Sequence, residues 1–210
     1  AQVRDALGGV PSLGGSLLVR LDELGPQDRL LLHERHLISK ELAGLDQQHP
    51  LRSGAAVFLG QTVGLLGNEE DHLRLQSLHS GFSVSQAFDS AMQLDRELGA
   101  QVPYAYHREF GFLTACPTNA GTGLRASVLI HLPGLVLTKE IGKVLAGLQQ
   151  MGLTYRGLDG EGSEVVGNFF QLSNQTTLGR SEEELQDLLV RVVRHVIERE
   201  EEARRVLVRD

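Results

Sequence analysis

Apolar residues recur at helical spacing in four segments of the chain. These segments are Pro26–Leu42, Ser83–Leu98, Thr138–Met151 and a final helix that starts at Ser181. In the second segment Ser83 is a candidate N-cap, and Gly99 is a stop signal. Ser181 is followed three residues later by Glu184, which is the spacing of a capping box. We therefore expect four helices, the last of them with a well-defined start.

Shorter apolar runs bounded by glycine, proline or polar residues predict strands. These runs are Ala55–Leu66, Phe110–Cys116, Ala126–Leu132, Leu153–Leu158 and Val165–Leu172. The first run is interrupted by Gly60 and Gly64, so we expect two strands joined by a tight turn. Helices and short strands in this order favour an α+β fold of the α/β type, in which helices cover an antiparallel or mixed sheet. The charge run Glu198–Arg205 is expected to be a solvated helix face or a linker.

The composition indicates an acidic globular protein that fits one domain. The chain has 210 residues and a formal net charge of −7, which argues against a general binder of nucleic acid or anionic membranes. The single cysteine excludes an internal disulfide and fits a reducing compartment. No apolar run reaches about 18 residues and no signal peptide is visible, so we expect a cytoplasmic protein. Both ends look cut, and we expect a fragment of a longer protein.

The first segment with candidate chemistry is Cys116–Ser127, which holds the only cysteine, two glycines and Arg125. Loops of small residues often form anion-binding concavities, and a guanidinium adds a forked donor for phosphate or carboxylate. No Lys-Ser/Thr follows the glycines, so the segment is not a P-loop. A small-residue turn between two strands is the alternative interpretation.

The second segment is Asn68–Arg74, which contains three consecutive carboxylates. Its alternative is a solvated strand-to-helix turn, with the asparagine as cap and a pair between Glu70 and Arg74. A zinc site built on Asp71 and the following histidine is disfavoured, because no other cysteine or histidine lies at ligand spacing.

The third segment is Arg156–Glu164, where an arginine at a strand end precedes a glycine-rich turn around Glu161. An exposed hairpin turn is its alternative. A fourth candidate is His36, near the end of the first predicted helix, for which a surface or packing role is the alternative. Three arginines, one in each of the three segments, suit a triphosphate. The carboxylates Glu70 and Glu161 suit a planar guanidinium, which they bind by paired hydrogen bonds.

These motifs resemble those of the ATP:guanido phosphotransferases, the phosphagen kinase family. The matching motifs are Cys116-Pro-Thr-Asn-x-Gly-Thr122, Asn68-Glu-Glu-Asp-His-Leu-Arg74, Arg125-Ala-Ser-Val128 and Arg156-Gly-x-x-Gly-Glu161. Further segments resemble the bacterial branch whose members phosphorylate arginine side chains of proteins. These are His36-Leu-Ile-Ser-x-Glu41, Arg125-Ala-Ser-Val-x-x-His131-Leu-Pro133, Gly160-Glu-Gly-Ser-Glu164 and Gln171-x-Ser-Asn-Gln175-x-Thr-Leu-Gly179.

The resemblance implies one catalytic domain over residues 1–210, an antiparallel sheet flanked by helices as in the glutamine synthetase-like fold, with ATP on the sheet. The residues it implies for ATP binding are His36, Arg74, Arg125, Ala126, Ser127, Val128, Leu129, Arg156, Gly157, Leu158, Asp159, Gly160 and Glu161. Glu70 and Glu161 would orient the substrate guanidinium, and Cys116 would order it as a thiol. A nucleophilic cysteine is disfavoured, because no His-Asn partner pattern accompanies it. Mg²⁺ would arrive with ATP, bound mostly by phosphate oxygens and water, so no protein ligand is assigned.

The activity implied is in-line phosphoryl transfer from ATP to arginine residues of proteins. The alternatives are a kinase of a free guanidino compound and a catalytically silent adaptor domain. The partners implied are protein substrates with exposed arginines, a zinc-binding activator, a repressor of heat-shock genes and components of a Clp protease. A homodimer is compatible with the resemblance, and neither nucleic acid nor membrane is expected as a partner.

The chain also departs from the family pattern. The early Ser-Ser-Arg-x-Arg segment and the C-terminal phosphoarginine-binding domain are absent from it. We therefore expect either weak ATP binding or a lost beginning. Small-molecule enzymes of the family often have a histidine at the position of Leu129 and a basic residue at that of Asp159. Both differences favour the branch that acts on proteins.

Overall fold

The structure, a computed structural model, describes residues 9–45, 54–157 and 166–209. The chain divides into two compact units. The first comprises Ala1–Tyr106 with Thr114–Cys116, and the second comprises His107–Leu113 with Pro117–Asp210. The expectation of one domain over residues 1–210 stays a prediction.

The first unit contains a four-stranded antiparallel sheet in which the strands follow chain order. Its strands are β1 (Leu17–Arg20), β2 (Ala56–Leu59), β3 (Val63–Gly67) and β4 (Leu73–Ser77). Its helices are α1 (Pro26–Glu34), α2 (Lys40–Ala43) and α3 (Val84–Gly99), and short 3₁₀ turns cover Pro11–Leu13 and Leu21–Glu23. Leu65 and Leu66, neighbours in β3, are both fully buried because successive side chains of a strand point to opposite faces. One contributes to a core with α3, the other to a core with α2, so both faces of this sheet are covered.

The second unit contains a three-stranded antiparallel sheet with β9 in the middle. Its strands are β7 (Ser127–His131), β8 (Leu153–Arg156) and β9 (Phe169–Asn174), and its helices are α4 (Pro133–Leu137), α5 (Ile141–Gln150) and α6 (Glu182–Arg209). Helix α6 packs on β9 and α4, and α5 packs on β8. A two-stranded sheet of β5 (Tyr106–His107) and β6 (Gly111–Phe112) lies where the chain passes from the first unit to the second.

Several predicted elements are confirmed. The run Ala55–Leu66 forms two antiparallel strands, and the run Ala126–Leu132 contains β7. Helix α6 starts with the expected capping box, in which the Ser181 backbone N–H donates to Glu184 at 2.8 Å and the Glu184 N–H donates to the serine hydroxyl at 3.2 Å. Antiparallel strands with flanking helices agree with the expected fold class. Among the described residues no helix is both long and apolar enough to cross a membrane.

The single helix predicted over Pro26–Leu42 is wrong, because the chain forms two helices with a break between them. The backbone of His36 has a φ of +58°, which lies in the left-handed region and ends the first helix. Ser39 then caps the second helix, since its hydroxyl accepts the N–H of Leu42 at 3.2 Å. A serine prefers such a cap to a helix interior, and here that preference overrides the apolar spacing.

Other boundaries also differ from the prediction. The helix expected over Thr138–Met151 begins at Ile141, after the separate helix α4 that starts at Pro133. Only Gly111–Phe112 of the run Phe110–Cys116 is a strand. Of the run Val165–Leu172, Val165 lies outside the described residues, and the strand covers Phe169–Asn174.

The predicted ends of two other elements need correction. Ser83 does not cap α3 through its side chain, because its hydroxyl donates to the carbonyl of Ser80 at 3.0 Å. Helix α3 also includes Gly99 instead of ending before it. The strand expected over Leu153–Leu158 ends at Arg156, and Leu158 lies outside the described residues.

The charge run Glu198–Arg205 is not wholly solvated. Glu200 is only 5% exposed, and its carboxylate accepts the backbone N–H groups of Gly134 and Leu135 at 2.8 and 2.9 Å. These two groups begin α4, so Glu200 caps that helix across 65 residues of sequence. A charge pattern read along the sequence cannot reveal such a distant partner.

Candidate active site

The three consecutive carboxylates lie in a tight turn between β3 and β4. Asn68 has a φ of +63° and donates its N–H to the carbonyl of His72 at 3.0 Å, and the Glu69 N–H donates to that of Asp71 at 3.1 Å. The expected alternative of a strand-to-helix turn is therefore wrong, because the chain reverses into an antiparallel strand. Glu70 is exposed in this turn.

Arg74 on β4 pairs with Glu69, a partner that the sequence did not indicate. The Arg74 Nη1 lies 3.3 Å from both carboxylate oxygens of Glu69. The Glu69 side chain is 8% exposed and that of Arg74 is 53% exposed. A buried carboxylate thus holds one side of the guanidinium, while about half of the arginine side chain stays accessible to an anion from solvent.

The loop that carries Cys116 is bonded to the acidic turn. The backbone N–H of Ala115 donates to Asp71 Oδ1 at 2.6 Å, and the Thr114 hydroxyl donates to the Cys116 carbonyl at 2.6 Å. Cys116 is half-buried. The structure therefore brings together, within the first unit, the loops of the predicted residues Glu70 and Cys116.

His36 lies on the loop between α1 and α2 and is exposed. The carbonyl of the next residue, Leu37, accepts a hydrogen bond from the Gln76 side chain at 3.0 Å. Gln76 and Arg74 both belong to β4, so the loop of His36 is fastened to the strand that bears one of the predicted phosphate ligands.

In the second unit, the strand register places three predicted residues and two further residues on one face of the sheet. The predicted residues are Ser127, Leu129 and Arg156, and the further ones are Gln171 and Ser173. Ser127 lies opposite Ser173, and Gln171 lies between Leu129 and Arg156. The Gln171 amide donates to the Ser127 hydroxyl at 3.1 Å.

Arg125 joins this face just before β7, since its Nη2 donates to the Ser173 hydroxyl at 3.4 Å. Two guanidinium groups, Arg125 and Arg156, are thus presented beside a row of polar side chains. Val128 alternates to the opposite face, where its partner Leu172 is fully buried. Val128 can therefore contact a ligand on the polar face only through its backbone.

Asn174, which sequence reasoning gave no role, fixes the chain that leads into Arg125. Its side chain is 6% exposed, and its Oδ1 accepts the Ala126 N–H at 2.7 Å. Its Nδ2 donates to the carbonyls of Leu124 and Thr176, each at 3.0 Å. The side chain of Asn174 therefore holds the backbone on both sides of Arg125 and also the chain that follows Asn174. The motif Gln171–Gly179, noted only as a resemblance, was the signal for it.

Thr177 holds the earlier part of the same loop. Its hydroxyl lies 2.7 Å from the Ala120 carbonyl oxygen, and its own carbonyl accepts the Thr122 N–H at 2.9 Å. Gly121 has a φ of +112°, and an added Cβ there would collide with the Thr177 carbonyl. A glycine is thus required at position 121, because the backbone of Thr177 approaches it closely.

The remaining predicted residues are distributed as follows. Gly157 follows β8 and is buried. Leu158, Asp159, Gly160 and Glu161 lie outside the described residues, so their roles stay predictions. Among the residues that the structure does describe, no group of three or more His, Cys, Asp or Glu side chains is arranged to hold a metal ion.

The chain belongs to the ATP:guanido phosphotransferase family. Residues 2–203 match the model of this family's C-terminal catalytic domain, which confirms the family expected from the motifs.

The chain is similar to the protein-arginine kinases of Bacillus mycoides (strain KBAB4) and Bacillus cereus (strain G9842). Each is 46% identical over 201 residues, which cover 96% of this chain and 55% of the relative. The chain thus spans about half the length of the curated relatives it matches.

Two solved structures share the fold. The crystal structure of lombricine kinase has a TM-score of 0.75 at 24% identity and covers 95% of this chain and 59% of its own. The duplicated taurocyamine kinase from Schistosoma mansoni with bound transition state analog components has a TM-score of 0.75 at 26% identity. It covers 94% of this chain and 29% of its own. The expected antiparallel α+β fold is confirmed by these similarities.

Proposed function

We propose that this chain is the catalytic domain of a kinase that phosphorylates arginine side chains of proteins with ATP. The observation that carries the proposal is the 46% identity to protein-arginine kinases over 201 residues. The site supports it, because a carboxylate turn is bonded to a cysteine loop and two guanidinium groups share a polar sheet face.

Glu70 and Glu161 are proposed to orient the substrate guanidinium by paired, charge-assisted hydrogen bonds. Cys116 is proposed to help order the same group. During transfer a guanidinium nitrogen bonds to the γ-phosphorus while the bond from that phosphorus to the bridging oxygen breaks and ADP leaves. The nitrogen releases one proton, for which a carboxylate of the pair is a suitable acceptor. Positioning of this kind can lower a barrier by roughly 7–11 kcal/mol.

Arginines are proposed to neutralise the phosphates of ATP, which is the main demand of phosphoryl transfer. They are Arg74, Arg125 and Arg156. The segments Ala126–Leu129 and Gly157–Glu161 would line the nucleotide, with His36 near its base. Mg²⁺ suits this arrangement as an ion that enters with ATP, is held by phosphate oxygens and water, and neutralises charge.

The test is a phosphorylation assay on the protein expressed within its complete open reading frame, with the 210-residue chain in parallel. ATP, Mg²⁺ and protamine, an arginine-rich protein, are incubated, and phosphoarginine is mapped by mass spectrometry without acid treatment. Polylysine is the matched control, because it is equally basic but has no guanidinium. Phosphate on the arginines of protamine alone is expected. Phosphate on polylysine, or on no protein at all, would contradict the proposal.

A second candidate is a kinase of a free guanidino compound, since the fold is shared with lombricine and taurocyamine kinases. Free arginine, lombricine and taurocyamine in the same assay separate the two activities. Phosphate confined to the small molecules would favour this candidate.

The cellular setting is also part of the proposal. A cytoplasmic location, a homodimer, and association with a zinc-binding activator, a heat-shock repressor and Clp protease components would follow from a protein arginine kinase. Co-purification from a cytoplasmic extract tests these partners, with the Glu70→Gln variant included to trap substrates.

A further inference from the structure

Asp71 is the third carboxylate of the acidic turn and has no part in the proposed reaction. Its Oδ1 accepts the backbone N–H of Ala115 at 2.6 Å, across 44 residues of sequence. Asp71 directly follows Glu70, and Ala115 directly precedes Cys116. One hydrogen bond therefore joins the two loops at the positions next to the proposed substrate-orienting groups.

Each loop is internally fixed up to the residue that makes this bond. In the turn, the Glu69 N–H donates to the Asp71 carbonyl at 3.1 Å. In the other loop, the Thr114 hydroxyl donates to the Cys116 carbonyl at 2.6 Å. Since both sides are held locally, the bond between Asp71 and Ala115 sets where one loop lies relative to the other. A hydrogen bond to an ionised carboxylate is about twice as strong as one between neutral groups.

We propose that Asp71 is a positioning residue that holds the Cys116 loop against the acidic turn, so that the thiol and the Glu70 carboxylate meet the same guanidinium. This inference rests on the proposed function for its catalytic consequence, but its structural part stands apart from the reaction. Because reacting groups tolerate little displacement, loss of the bond is expected to lower kcat by roughly 100-fold. The KM for ATP is expected to stay at its wild-type value, because Asp71 is bonded to the cysteine loop and not to a proposed phosphate ligand.

Cys116 makes the structural part directly measurable. It is the only cysteine of the 210-residue chain, so the rate of its alkylation by iodoacetamide reports on this loop alone, without any substrate. In Asp71→Ala the loop loses its anchor, and the rate is expected to rise severalfold. Asp71→Asn keeps an amide oxygen that can accept the Ala115 N–H, so it should restore most of the wild-type rate. Asp89→Ala, at an exposed position of α3, is the matched control and should change nothing.

The experiment measures alkylation, kcat and KM for the three variants, with circular dichroism to compare their folding. If Asp71→Ala matches Asp89→Ala in both alkylation and kcat, Asp71 does not position the loop. If Asp71→Asn loses as much kcat as Asp71→Ala while its alkylation stays at the wild-type rate, the charge acts directly and the inference is wrong. If Asp71→Ala does not fold, the isosteric Asp71→Asn still decides, because a positioning role requires it to retain the wild-type alkylation rate. If the proposed function is wrong, the wild type will show no kinase activity, but the alkylation rates will still differ between the variants. An error in the proposed function can therefore be distinguished from an error in the role of Asp71.

Discussion

Replacing Glu200 with glutamine is expected to destabilise the protein by about 2–4 kcal/mol. The carboxylate accepts the Gly134 and Leu135 N–H groups at 2.8 and 2.9 Å, and Arg204 Nε at 2.6 Å. A glutamine keeps one acceptor oxygen, so its NH₂ group must face one of the two backbone donors. One buried donor left unsatisfied costs about 1–3 kcal/mol, and the surviving bonds lose their charge assistance.

Urea denaturation of the 210-residue chain at neutral pH measures this loss. Glu201→Gln is the matched control on the same helix, since Glu201 pairs with Arg205 at 3.4 Å and both side chains are more than half exposed. An exposed pair of this spacing contributes about 0.3–0.5 kcal/mol. The expected difference in the free energy of unfolding between the two variants is therefore several times the error of the measurement. Equal losses for the two variants would refute the assignment of Glu200 as the cap of α4.

The pH dependence gives an independent check. Burial of the Glu200 carboxylate raises its pKa, but hydrogen bonds from Arg204 and from the Leu135 and Gly134 N–H groups outweigh burial and hold the pKa below its usual 4.5. A carboxyl with a lowered folded-state pKa contributes stability above its unfolded pKa and loses it as the pH falls through the folded value. The advantage of the wild type over Glu200→Gln should therefore be constant from neutral pH to about pH 5 and shrink in more acidic solution. An advantage that persists undiminished at the lowest pH would contradict the ionic cap.

Three further variants and one control variant test the site. Glu70→Gln should lower arginine phosphorylation by about 100-fold or more with ATP affinity unchanged in calorimetry, and loss of folding would instead indicate a structural turn. Asn174→Ala leaves the Ala126 N–H and the Leu124 carbonyl without their partner, so stability in urea should fall by about 2–4 kcal/mol and ATP binding should weaken. Gln175→Ala, at the neighbouring exposed position, is the control and should change stability by less than about 0.5 kcal/mol. An equal loss of stability in the two variants would exclude the proposed role of the Asn174 side chain in holding the chain around Arg125. His36→Gly should raise stability in urea by up to about 1 kcal/mol, because glycine adopts a φ of +58° without strain, whereas a loss would mean that the imidazole holds the loop.

Elements governed by local chemistry were predictable from the sequence. Helix α6 follows a capping box whose two hydrogen bonds span three residues, and the strands β2 and β3 are separated by a short turn that begins at Gly60. Helix α3 shows a strong apolar stripe, and its two fully buried residues, Leu94 and Leu98, are one helical turn apart. In each case the deciding interactions lie within a few residues of one another.

Elements decided by distant contacts were not predictable in this way. Apolar spacing continues smoothly from α1 into α2, and only the left-handed His36 with the cap at Ser39 separates them. Helix α4 is five residues long, and its first N–H groups are capped by Glu200 from another helix. A single sequence contains no signal that pairs these positions.

The motifs predict the chemistry of the candidate site, which stays a prediction, but not how its side chains are held. The arginines are predicted from their residue types, while the partner of Arg74 is seen only in the structure. Gln171 and Asn174 belong to β9, whose register could not be predicted from an apolar run that ends at Leu172, before the end of the strand. A strand's register decides which side chains share a face, and it depends on partners far away in sequence.

The proposed roles separate the site residues by the kinetic constant that each should change. Glu70 is proposed to orient the substrate guanidinium, and Asp71 is proposed to position the loop beside it. Because both roles concern the alignment of the reacting groups, loss of either side chain should lower kcat. Asn174 fixes the backbone on both sides of Arg125, and this arginine is proposed to bind phosphate before and during transfer. Its loss should therefore raise the KM for ATP with a smaller change in kcat, because binding that is equal in the ground and transition states affects KM. If Asn174→Ala instead lowered kcat alone, Arg125 would contact the phosphates in the transition state and contribute nothing to the binding of ATP before transfer.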